Sequence, residues 1–118
     1  MIKLLLPFKF KFDPEQERQG NLGEPDDVPD GHAAQTPDLH MMGAHYIELS
    51  EANDIPVLGG TLVAKSPTTT KGGEEAIDFS QAMYGGDGDV FFEIPIKDVN
   101  PGNYEFLRMS LSYQKYTI

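Results

Sequence analysis

Ile2-Lys3-Leu4-Leu5-Leu6-Pro7-Phe8-Lys9-Phe10-Lys11-Phe12 carries the clearest structural signal in this chain. Ile2, Leu4, Leu6, Phe8, Phe10 and Phe12 occupy every second position, and Lys3, Lys9 and Lys11 stand between them. Successive strand residues point to opposite faces, so the pattern predicts a β-strand over 2–12 with one face buried. Pro7 has no N–H to offer a neighbour, which places this strand at a sheet edge or beside a break.

The other end of the chain repeats the pattern. Over 104–116, Leu107, Met109, Leu111 and Tyr113 face one way, and Arg108, Ser110, Ser112 and Gln114 face the other. Between the two ends, 41–49 reads as a second strand, and Glu51 to Pro56 as a turn with Asn53-Asp54 at its tip. Val57-Leu58 and Thr61 to Ala64 flank Gly59-Gly60 as a hairpin or bulged strand. Glu74 to Met83 reads as a strand around Ala76 to Phe79 plus a turn, with a short helical turn as the alternative. Val90 to Ile96 is a strand whose Pro95 points to an edge. Lys97 to Asn103 is a tight turn, with Pro101 setting φ and Gly102 accepting a positive φ. The expected fold is one all-β domain over 1–118, an antiparallel immunoglobulin-like β-sandwich, with an open β-barrel as the alternative. The strand-like ending Tyr116-Thr117-Ile118 fits either a final paired strand or a fragment of a longer chain.

Residues 13–38 lose all periodicity. Asp13, Glu15, Glu17, Glu24, Asp26, Asp27 and Asp30 stand there against Arg18 as the base. A connection this long is uncommon in a compact domain and is expected to be functional or mobile, or a solvated loop pinned by Leu22 and Val28. The whole chain carries a formal net charge of −10. That charge opposes nonspecific binding to nucleic acid or an anionic membrane, and serves either solubility or an acidic binding surface. No apolar stretch approaches the ~20 residues of a membrane span. With no cysteine, the chain has neither a disulfide framework nor a thiolate metal site.

Two clusters are candidate ligand sites. His32, His40 and His45 fall near Met41 and Met42, and imidazole with thioether suits copper. In a regular strand positions 40 and 45 point to opposite faces, so one ion would need Gly43 to break the strand. The simpler reading makes the methionines core filler and His45 an ordinary sheet residue. In Gly85-Gly86-Asp87-Gly88-Asp89, Asp87 and Asp89 would both turn toward calcium, although a plain β-turn explains them more simply. No nucleophile turn, phosphate loop or His-Glu-x-x-His is present, so no catalytic residue is assigned. An acid-based hydrolase would need two carboxylates facing one cleft.

Ile94 to Tyr104 resembles the strand–Pro-Gly-x-Tyr–strand corner of exported immunoglobulin-like domains. That resemblance implies that Tyr104 packs under the turn and that the next strand runs into the core. Phe8 to Asp13, Gly31 to Pro37, His45 to Leu49 and Ala76 to Phe79 are similar to uncharacterised exported proteins of Bacteroidota. Their layout resembles the copper-binding methanobactin-partner family. The resemblance implies an exported sandwich with a metal site; this chain has no Trp to supply an oxidised tryptophan ligand. The expected function is a non-enzymatic binding or assembly module in the periplasm, at the cell surface or secreted, its leader absent from this chain. A cytoplasmic setting is the alternative. A metal-binding sandwich is the alternative function, and the acid-based hydrolase a third. The partner is a protein or small ligand, and edge strands 2–12 or 104–118 would pair copies of the chain into a homo-oligomer.

Overall fold

The computed structural model describes residues 4–118, so Ile2 and Lys3 of the first strand reading lie outside the described residues. The elements are β1 (Leu5–Lys9), β2 (Asp38–Ser50), β3 (Thr61–Lys65), β4 (Thr68–Thr69), β5 (Ala76–Ile77), β6 (Met83–Gly85), β7 (Val90–Pro95) and β8 (Phe106–Thr117). A single 3-10 turn at Ile96–Asp98 follows β7. The fold is all-β and its named pairings are antiparallel, as a sandwich requires. The sheets do not close, which sets aside the open-barrel alternative.

β2 is the spine. One edge pairs with β8 from Asp38↔Thr117 to Ser50↔Phe106. Its other edge takes β3 beside Tyr46–Leu49 and β6 beside Met42–Ala44. β1 and β7 form a separate two-stranded ribbon, with Pro7 opposite Glu93 and Leu5 opposite Pro95. Both prolines therefore sit where few ladder bonds are lost. The ribbon carries much of the core: Phe8 and Phe10 are 8% and 9% exposed. Phe10 stacks on Phe91 at 4.2 Å between centroids, and Phe8 meets Phe92 at 6.3 Å.

The radius of gyration, 16.8 Å, exceeds the about 13–14 Å of a compact domain of this length. Little is therefore fully covered: beside the two phenylalanines, Ala44 and Ile47 are the buried apolar residues of the described chain. β8 contributes none of them.

Two connections depart from the sequence reading. Val57-Leu58 is not a strand: Gly59 N–H closes a turn on the Pro56 carbonyl at 2.8 Å, and Leu58 takes φ 64°. The β2–β3 hairpin instead closes through the whole 51–60 loop. Gly102 does not adopt a positive φ. Its value is spatial, because a Cβ there would lie 2.7 Å from Glu51 Oε1 and 3.1 Å from Tyr104 Cζ. Tyr104 does pack under this corner. Its hydroxyl donates to the Asn100 carbonyl at 2.6 Å and lies 3.0 Å from Thr61 Oγ1.

Candidate functional site

β2 and β8 do not run in simple register. Shifts fall between Leu39 and Met41, Gly43 and Ala44, and Ala44 and Tyr46. His40 and His45 are thus extra residues on β2, and Ser112 is the extra residue on β8. The Ser112 bulge takes Tyr113 out of the strict alternation with Leu111. Tyr113 packs edge-on to Tyr84 at 5.8 Å. The Tyr84 ring depends on Gly43, where a Cβ would fall 2.5 Å from Ser112 Oγ and 2.6 Å from that ring.

The bulges separate the histidine–methionine residues. His40 is exposed and its Nε2 hydrogen-bonds Thr117 Oγ1 at 2.7 Å. His45 is buried, with Nε2 lacking a partner and its carbonyl accepting Ser66 N–H at 2.7 Å. Met41 is exposed, Met42 half-buried, and His32 lies exposed in the long loop. Among the described residues no three of His, Cys, Asp or Glu converge in a metal-binding group.

Asp87 and Asp89 act on backbone. Asp87 Oδ1 accepts Phe12 N–H at 2.7 Å, and Asp89 Oδ2 accepts Gly86 N–H at 3.1 Å. Gly88 N–H donates to the Phe10 carbonyl at 2.7 Å, so the 86–89 turn grips the end of the β1 segment. Asp87 also lines a cavity of about 460 Å³ with Asp13 and Asp38, where the ends of the acidic loop meet. Asp13 Oδ1 is likewise taken by a backbone donor, Glu15 N–H at 3.0 Å.

The strongest polar feature was not marked by the sequence pattern. Glu48 on β2 is 0% exposed and pairs with Arg108 of β8 at 2.6 Å. Its second oxygen accepts Gly60 N–H at 3.0 Å. Arg108 then donates to the carbonyls of Pro56, at 3.0 Å, and Ile55, at 2.8 Å. One guanidinium thereby satisfies a buried carboxylate and closes the 51–60 loop, which is the arrangement a buried charge demands. An alternation of Ser and Arg carries no sign of this, because Glu48 lies sixty positions away.

The apolar row of β8 lies across the ladder from Leu49, Ile47 and Ala44 of β2, and its leucines stay half-exposed because β8 stands at the edge of the sheet. Leu107 is 53% and Leu111 49% exposed, with Met109 half-buried between them. A groove of about 350 Å³ runs beside Phe106–Met109, walled by Ala52 and Asn53. Among the described residues, β8 pairs only with β2, so its second edge is open. An open edge and a half-exposed apolar row on one strand form a surface suited to holding another chain. Comparison of the chain with protein-family models, curated proteins and solved structures returns no match.

Proposed function

We propose that this protein is a non-enzymatic binding or assembly module of the exported or cell-envelope kind, working through the open edge of β8 and its half-exposed apolar row. The observation that carries this reading is the half-exposure of Leu107 and Leu111 on a strand whose opposite side is fixed by a buried ion pair. Single exposed leucines are ordinary on protein surfaces. Two in register beside a half-buried methionine, a groove and an open edge make a docking surface. The exported setting rests on the Tyr104 corner, whose hydroxyl-to-carbonyl bond matches the arrangement in exported immunoglobulin-like domains.

A Leu107→Lys/Leu111→Lys double variant tests the reading. A docking surface tolerates both lysines, and the variant folds with the parent's far-UV spectrum and, in dilute solution, its melting temperature. If these side chains instead hold the fold together, the variant loses cooperative unfolding and the reading fails.

A further inference from the structure

We infer that the partner of β8 is β8 of a second copy, paired antiparallel about a two-fold axis at Met109. This inference rests on the docking surface proposed above and names its occupant. Pairing across such an axis matches residues of equal parity, because the axis stands perpendicular to the sheet and preserves its faces. Centring on Met109 sets Met109 against its own copy and Leu107 against Leu111 twice over. The half-exposed row of β8 is therefore complementary to itself in that register.

The reverse face fits as well. Arg108 falls opposite Ser110 and Phe106 opposite Ser112, so no like charges stand directly across the ladder. Each guanidinium is already neutralised by Glu48 of its own chain. The pairing uses residues 106–112, which stop at the Ser112 bulge where a regular ladder would falter.

Charge points to the same half of the strand. Copies carrying −10 repel one another, so self-association needs an acid-free surface distant from the main acidic segment. Residues 106–112 contain no Asp or Glu. The acidic loop rejoins the sheet at Asp38, opposite Thr117 at the far end of β8. At about 3.3 Å per residue that end lies roughly 25 Å from Met109, beyond the Debye length at physiological salt. A specific interface needs about 1,000 Å², so the contact extends beyond the open edge to the half-exposed row and the neighbouring groove of both copies.

Sedimentation equilibrium over a wide concentration range, joined to single-cysteine cross-linking, tests the dimer. The parent chain has no cysteine, so each introduced thiol reports one position. The parent is expected to move from monomer to twice that mass as concentration rises, with the Leu107→Lys/Leu111→Lys variant monomeric throughout. Met109→Cys should form its disulfide dimer at least about ten-fold faster than Leu62→Cys, an exposed control on β3. A parent that stays monomeric at every concentration overturns the inference, as does a dimer that survives the double lysine variant or cross-links no faster through Met109→Cys. A monomeric parent together with a folded double variant leaves the docking surface standing with a different occupant. An unfolded double variant removes both.

Discussion

β1 and β8 are both amphipathic strands in sequence, and the molecule covers their apolar rows to different depths. In β1 the usual inference holds: Phe8 is buried, Lys9 is exposed, and the aromatic row runs on through Phe10 against the β7 phenylalanines. In β8 Leu107 and Leu111 stay half-exposed although they lie across the ladder from Leu49 and Ala44, while Arg108 on the other face reaches the buried Glu48. Period-two alternation establishes that a strand has two unlike sides. How deeply the apolar side is covered depends on what packs beside it. For β1 it is a pair of phenylalanines on the adjacent strand; β8 has β2 along one edge and, among the described residues, no strand along the other.

The difference is sharpest in large-to-small changes. Phe10→Ala should cost about 3–5 kcal/mol, since it empties a stacked core position. Leu111→Ala should stay within about 0.5 kcal/mol, as for other surface substitutions. Urea unfolding of both variants, compared at equal m-value, reads the contrast directly. Equal losses would mean that β8 also buries its apolar side.

Removing the polar anchor is expected to cost nearly as much as removing the aromatic one. Arg108→Ala strands the Glu48 carboxylate in the interior and should cost about 3 kcal/mol, at the low end for a buried pair because Arg108 is partly exposed. The double variant Glu48→Met/Arg108→Met leaves no charge unpaired and should recover part of that loss, as a double-mutant cycle will show. Failure to recover would place the cost in the released 51–60 loop, whose Ile55 and Pro56 carbonyls also lose their donor.

A smaller effect is expected at the entry to β8. Tyr104→Phe deletes the hydroxyl shared by Asn100 and Thr61, and should lower stability by about 1 kcal/mol without altering self-association. A loss of dimer in this variant would show that the corner, and not the half-exposed row, governs the pairing of β8.

Much of the fold was legible in the chain. The all-β class, the aromatic face of β1, the edge positions of Pro7 and Pro95 and the turn at Asn53-Asp54 follow from alternation and turn chemistry. Tyr104 under its corner is what the resemblance of Ile94 to Tyr104 to an immunoglobulin-like corner implied. The rest depends on contacts distant in sequence. His40, His45 and Ser112 became bulges because β2 and β8 match in length only by accommodating extra residues. The turn at Val57-Leu58 required a left-handed leucine, a conformation for which its sequence gives no warning. Above all, the pairing of Arg108 with Glu48 joins two residues that each look like ordinary surface charges. The half-exposure of the β8 leucines likewise follows from the edge position of that strand, which is set by pairing with β2 far away in sequence.

One paired substitution addresses the contrast most directly: lysine placed at Phe10 and, separately, at Leu111, with thermal unfolding followed in dilute solution. Phe10→Lys should abolish the cooperative transition, because a charge enters the stacked Phe10–Phe91 core. Leu111→Lys should melt within about 3 °C of the parent, as a surface change does. Collapse of both variants would mean that the apolar row of β8 is held in the core as firmly as that of β1.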